Sequence, residues 1–99
     1  MAALGLATIA IYFEATFSLK DKRREVKSVV HRTQARFNCA IAEVADLDDM
    51  RVATLGVAVL STSAPHADQM LKTILAFIES SLDTGVPGEV STRIDPFDA

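Results

Sequence analysis

Several residue types are scarce in this 99-residue chain, and their scarcity narrows the class of protein it belongs to. Tryptophan is absent, tyrosine occurs once and Cys39 is the single cysteine, which excludes an internal disulfide and favours a reducing compartment. No stretch resembles a secretion signal. The longest apolar run, Leu4 to Phe13 with Thr8 inside it, is about half of the roughly 20 residues needed to span a bilayer. We therefore expect a cytoplasmic protein without a membrane segment.

Motifs that carry catalysis or bind metals are also missing. The chain contains no phosphate-binding glycine loop, nucleophile elbow, zinc-ligand spacing or paired catalytic carboxylates. Asp46, Asp48 and Asp49 lack the glycine and the distant glutamate of a calcium loop, so a solvated turn is predicted there. Cys39 alternates with core positions while His31 lies among basic residues, which disfavours a thiol–imidazole pair. The sequence predicts no enzyme, cofactor or metal site, and an active site assembled across two subunits is the remaining enzymatic alternative.

The composition is that of one globular domain covering residues 1–99. Apolar residues make up 49% of the chain and charged residues 23%, a balance that buries enough surface to offset the entropy of ordering. A length near 100 residues provides for one core.

Hydrophobic periodicity predicts six elements. Alternating β-branched and aromatic residues indicate strands at Leu4–Ala15, Asn38–Ala45, Met50–Ser61 and Glu89–Asp95, the last ended by Pro96. Ser18 and Asp21 have the spacing of a capping box and start a first helix. Ser61-Thr62-Ser63, with Pro65 in the first turn, start a second helix that ends before Gly85. The order βαββαβ predicts an α+β, ferredoxin-like sandwich: a four-stranded antiparallel sheet with two helices on one face.

The first helix concentrates positive charge. Seven of the ten basic residues lie between Lys20 and Arg36, and only Asp21 and Glu25 oppose them, so this stretch carries +5 and the rest of the chain −8. At helical spacing, one arc of the helix is apolar and a flanking arc is cationic. The residues on this flanking arc are Lys20, Arg23, Arg24, Lys27 and His31.

The sequence resembles the YlxP-like family at four places. They are Ser18-Leu19-Lys20-Asp21-Lys22-Arg23-Arg24, Arg36-Phe37-Asn38, Ala42-Glu43-Val44 and Leu55-Gly56-Val57-Ala58-Val59. The resemblance spans roughly residues 4 to 82, and the serine–leucine–lysine stretch is its most specific part. It implies a short bacterial protein of largely unknown function with a ferredoxin-like fold. Genes of this family often neighbour those of transcription and translation factors, so the resemblance also implies a link to RNA or the ribosome.

Two binding hypotheses follow for the start of the first helix. Lysines and arginines there oppose the helix dipole, and together with free backbone N–H groups they favour anions. The first hypothesis is a non-enzymatic binding protein that associates with RNA or the ribosome through Lys20, Lys22, Arg23, Arg24 and Lys27. The alternative is a small dimeric ligand-binding or regulatory module with a metabolite anion at the helix N-terminus. A solvated basic face without a ligand is equally compatible with the charge pattern.

A second surface is predicted on the side of the sheet away from the helices. Alternation places small and apolar residues there, among them Thr8, Ala10, Tyr12 and Ala58. Tyr12 is the one aromatic of the first strand on that side, which disfavours base stacking, since this requires two or three exposed rings. Because contiguous apolar surface usually marks an interface, we predict a homodimer through the sheet face or an edge strand.

Overall fold

The computed structural model describes residues 1–14 and 17–99 and contains four strands and two helices in the predicted order. The strands are β1 (Ala2–Tyr12), β2 (Ala40–Ala45), β3 (Val52–Ser61) and β4 (Val86–Phe97), and the helices are α1 (Leu19–Arg36) and α2 (Ala64–Ser81). All strand pairs are antiparallel and the strand order is β2-β3-β1-β4. The predicted ferredoxin-like α+β fold is confirmed.

The core lies between one face of the sheet and the two helices. In β1 and β3, buried residues alternate with more accessible ones, as a sheet covered on one side requires. The sheet contributes Ile9, Ile11 and Leu55, each at most 1% exposed, and α2 contributes Leu71 and Ile74. Each such side chain stabilises the fold by about 1.5–3 kcal/mol through burial. The helices are therefore held on the sheet by a continuous apolar layer.

The helix starts agree with the sequence signals. The Ser18 hydroxyl accepts a hydrogen bond from the Asp21 backbone N–H at 3.0 Å, and the Ser63 hydroxyl accepts one from the His66 backbone N–H at 3.3 Å. Pro65 lies in the first turn of α2, where a backbone N–H would lack a helical partner. The two caps therefore define the residues at which the helices begin.

The strand ends differ from the predicted ones. β1 begins at Ala2 and ends at Tyr12, and the predicted end at Ala15 lies outside the described residues. β4 is longer than predicted, since it runs through both Pro87 and Pro96. Proline removes one backbone donor, which an edge strand tolerates because one of its sides forms no ladder. The prediction that Pro96 ends this strand is wrong for that reason.

Candidate functional site

The exposed side of α1 carries the predicted cationic arc. Val26, Val29 and Thr33 point into the core, so residues on the opposite side of the helix face outward. Lys20, Arg23, Arg24, Lys27 and His31 are all exposed. The structure therefore brings four of the five predicted anion-binding cations onto one surface, which we call the basic arc: Lys20, Arg23, Arg24 and Lys27.

Lys22, the fifth predicted cation, does not belong to this surface. Its side chain is 0% exposed, and its ammonium donates hydrogen bonds to three backbone carbonyls at 2.6–2.8 Å. Those carbonyls belong to Asp46, Asp49 and Val52, in and just after the loop between β2 and β3. The prediction that Lys22 binds RNA or an anion is wrong, because all three of its donors are engaged within the protein.

Glu43 supplies the counter-charge of Lys22. Its Oε2 lies 3.0 Å from Lys22 Nζ, and the Glu43 side chain is only 15% exposed. Within the described residues this oxygen receives no hydrogen bond of acceptable geometry, since the three ammonium hydrogens point at carbonyls. The contact is thus an ion pair without a directed hydrogen bond. It neutralises a charge that would otherwise be costly to bury.

Two cations of the basic arc form ion pairs at the surface. Arg23 Nη2 lies 3.2 Å from Asp48 Oδ1, and Arg24 Nη1 lies 3.8 Å from Asp21 Oδ1. More than half of each arginine side chain is exposed. Exposed pairs of this kind contribute about 0–1 kcal/mol, so both guanidinium groups remain available to an anion that approaches from solvent.

The side of α1 that faces α2 is used for structure. Both carboxylate oxygens of Glu25 accept hydrogen bonds from residues 83–85, in the loop that leads to β4. Burial alone raises the pKa of Glu25, but hydrogen bonds from the Thr84 hydroxyl and from three backbone N–H groups outweigh it, so this pKa lies below its ordinary value. The Glu25 carboxylate is therefore directed toward the loop before β4 and pairs with no cation of the basic arc among the described residues.

Arg32 and Arg36 also contact α2. Arg32 Nη2 donates to the carbonyl of Ser81, the last residue of α2, at 2.8 Å, where a positive charge complements the helix dipole. The Arg36 guanidinium lies 5.2 Å from the centre of the Phe77 ring, which is cation–π distance. Among the described residues, neither arginine forms an ion pair with a carboxylate.

The aspartates after β2 have separate partners. Asp46 Oδ2 accepts a hydrogen bond from the Thr54 hydroxyl, Asp48 pairs with Arg23, and Asp49 Oδ1 accepts the backbone N–H of Arg51. Across residues 1–14 and 17–99, no three His, Cys, Asp or Glu side chains converge as metal ligands would. The loop is a surface turn whose backbone carbonyls are hydrogen-bonded by the buried Lys22 ammonium.

Cys39 and the two histidines, His31 and His66, have separate environments. Cys39 is partly buried against the core, and burial raises the pKa of its thiol, which disfavours the reactive thiolate. His31 lies on the exposed side of α1, while His66 Nδ1 is 2.7 Å from the Ser61 hydroxyl at the start of α2. The structure gives no thiol–imidazole pair among these residues.

The sheet face away from the helices, which we call the open face, contains all four residues predicted for the dimer interface. Ladder pairing places Thr8 opposite Gly56, and Ala58 lies opposite Leu6 and Ala40. Small side chains therefore occupy its centre, over a shallow depression of about 540 Å³. Five large apolar side chains that are substantially exposed surround this centre: Tyr12, Val44, Leu60, Val86 and Phe97.

Sequence reasoning missed the buried role of Lys22 although a signal existed. Lys22 precedes Val26 by four residues and Val29 by seven, a spacing that places it on the apolar stripe of the helix. No comparable signal identifies Glu25, because its partners are about 60 residues away in sequence.

Comparisons with known proteins agree with the fold. A family model described as "Protein of unknown function (DUF503)" matches residues 4–86. The chain is 36% identical over 77 residues to the uncharacterized protein YlxP of Bacillus subtilis (strain 168), a match covering 78% of this chain and 84% of the relative. A solved structure, the de novo designed protein Foldit4, superposes with a TM-score of 0.55 at 14% identity, over 99% of this chain and 100% of the design. This last similarity concerns the fold alone.

Neither helix of the described residues is long and apolar enough to cross a membrane.

Proposed function

Since the chain belongs to the DUF503 family of proteins of unknown function, we propose a function from its surface: a non-enzymatic, cytoplasmic accessory protein that binds RNA through the basic arc of α1. The observation that carries the proposal is the exposure of four cations on one side of a helix whose opposite side packs in the core. The gene neighbourhood that the resemblance to YlxP-like proteins implies supports RNA, including ribosomal RNA, as the polyanion.

The charge of this surface remains positive after its carboxylates are counted. Asp21 and Asp48 oppose the four cations of the basic arc, whereas Glu25 is turned toward the loop before β4. Lys20 and Lys27 extend along the same side of the helix, one turn on either side of the two arginines. A phosphate backbone that lies along the helix replaces two weak surface ion pairs with several charge-assisted contacts.

A single anion at the N-terminus of α1 is the competing hypothesis. The Ser18 hydroxyl already accepts the Asp21 N–H, and the Asp21 carboxylate lies in that first turn. A capped helix end with its own acidic residue attracts a metabolite phosphate less strongly than an uncapped one. The structure therefore favours a ligand spread along the helix.

Fluorescence anisotropy with a labelled structured RNA tests the proposal. Four phosphate contacts predict that log K falls with log salt with a slope of about −3, which is a loss of roughly 60-fold between about 50 and 200 mM salt. Arg23→Glu/Arg24→Glu should abolish binding. Lys27→Glu, on the basic arc, is compared with Lys72→Glu, an equal charge change on an exposed lysine of α2.

The outcomes separate the hypotheses. Binding weakened by Lys27→Glu and retained by Lys72→Glu supports an RNA surface on α1. Equal losses in both variants would indicate a general charge effect and contradict the proposal. Absence of RNA binding, together with a higher melting temperature in a phosphorylated metabolite, would favour the anion-binding module instead.

A further inference from the structure

The open face of the sheet forms a second surface, separate from the basic arc. Among the well-exposed large apolar residues of the described chain, Tyr12, Val44, Leu60, Val86 and Phe97 share this face. Leu60 alone is 67% exposed. Both helices pack on the other side of the sheet, and within residues 1–14 and 17–99 no element covers this one. An apolar surface of this extent is characteristic of an interface.

We propose that the open face binds the open face of a second copy of the chain, giving a two-fold symmetric dimer of two packed sheets. The small side chains at the centre allow the sheets to approach closely, with Gly56 and Ala58 beside Thr8 and Leu6. Twisted sheets diverge toward the ends of their strands. There the larger side chains, Leu60 at one end and Tyr12 at the other, fill the wider gap.

The charges on and around this face favour a copy of the same chain as the partner. A two-fold interface brings each group near its own equivalent, so an uncompensated charge would meet a like charge. Here Arg93 pairs with Asp95 at 2.8 Å, and the Glu89 carboxylate accepts the Tyr12 hydroxyl at 2.6 Å. The Arg93 charge is compensated within one chain, and the Glu89 carboxylate is exposed on the edge strand β4, where solvent screens its charge. The surface therefore suits its own copy better than a strongly charged partner.

The size of the face also suits a dimer. Four strands spaced about 4.8 Å apart, with a length of about 25 Å, give a face of roughly 19 by 25 Å. The flat area of this face is about 500 Å², and protruding side chains make its accessible area larger. Specific interfaces bury about 600–1,000 Å² on each partner. The face is therefore comparable in size to one side of a small specific interface.

Sedimentation equilibrium over a concentration series tests the proposal. The wild type should be dimeric at micromolar concentration. Ala42→Glu and Leu60→Lys alter exposed positions on the open face, so both variants should fold, as circular dichroism checks. Each substitution occurs twice in the dimer and leaves a buried charge unpaired, so we expect the dissociation constant of the dimer to rise by at least about a hundredfold.

Ala76→Glu is the matched control, since Ala76 is an exposed alanine on α2, on the opposite side of the molecule. A dimer that persists in Ala76→Glu and dissociates in the face variants supports the proposal. A monomeric wild type overturns it and assigns the face to another partner. A dimer unchanged in both folded face variants also overturns it, because association would then use an edge strand or the helices.

Discussion

Lys22 is the residue on which the loop between β2 and β3 depends. Its buried ammonium satisfies three carbonyls of that segment and the charge of Glu43. Lys22→Met removes the donors and leaves the carboxylate without its counter-charge. Removing one partner of a buried ion pair costs about 3–5 kcal/mol. We therefore expect the free energy of unfolding, measured by urea denaturation, to fall by this amount.

The control for this prediction is Lys20→Met, the same substitution two residues earlier at an exposed position. It should change the free energy of unfolding by less than about 0.5 kcal/mol. Lys22→Met/Glu43→Leu should regain part of the loss, because the second substitution removes the unpaired charge. If the Lys20 and Lys22 variants were equally stable, the role assigned to the buried ammonium would be wrong.

Glu25 makes stability depend on pH in the acidic range. Its hydrogen bonds to residues 83–85 lower its pKa in the folded state, so the unfolded chain binds this proton more readily than the folded chain does. The stabilisation is therefore complete above the ordinary carboxyl pKa and is lost as the pH falls through the lowered one. Glu25→Gln should destabilise the protein more at pH 7 than in acid.

Urea denaturation of the wild type and Glu25→Gln at several pH values measures this difference. Glu79→Gln, the same substitution at an exposed position of α2, is the matched control. A difference between the wild type and Glu25→Gln that stays constant from pH 7 into acid would argue against carboxylate hydrogen bonding as the anchor of the loop.

At the scale of elements, α2 packs closely against β1 at Gly5. A Cβ there would lie 2.9 Å from Val59 Cγ2 and 3.1 Å from Leu71 Cδ1, both in buried side chains. At Gly56, on the open face, a Cβ would meet Val44, whose side chain is 54% exposed and free to move. Neither glycine has a positive φ. The two positions therefore differ in the room available for a side chain and not in backbone conformation.

Gly5→Ala should therefore lower the free energy of unfolding by about 1–3 kcal/mol, since overpacking forces α2 away from the sheet. Gly56→Ala should be neutral or stabilising by up to about 1 kcal/mol in the monomer, because alanine restricts the unfolded chain more than glycine does. Thermal unfolding at low protein concentration compares the two. A larger loss for Gly56→Ala would contradict the observed packing of α2 on β1.

The elements were predictable where the signal is local. Ser18 and Ser63 mark the helix starts by capping chemistry, and Ile9 and Ile11 mark the buried side of β1 by alternation. The ends of β4 were not predictable in this way, because tolerance of Pro96 depends on the strand being at an edge of the sheet. The basic arc followed from helical spacing, whereas the partners of Lys22 depend on a loop 24–30 residues away.

At the scale of the whole molecule, the two proposed surfaces lie on opposite sides. The sheet separates the open face from the helix layer, so a dimer through the open face leaves the basic arc of each copy on the outside. Such a dimer presents two RNA-binding surfaces in one particle. Binding of one RNA to both surfaces is stronger than binding to one, provided that the RNA spans the distance between them.

This arrangement predicts that dimerisation matters for long RNA and not for short RNA. Ala42→Glu, if monomeric, should bind an RNA too short to reach both surfaces as the wild type does, and should bind a long structured RNA at least about tenfold more weakly. Ala76→Glu carries the same added charge and should bind each of the two RNAs as tightly as the wild type does, which separates valency from electrostatic repulsion. Anisotropy titrations with the two RNAs at equal salt measure these ratios. If Ala42→Glu weakened short and long RNA alike while Ala76→Glu weakened neither, the open face itself would contact RNA, and the two surfaces would not have separate roles.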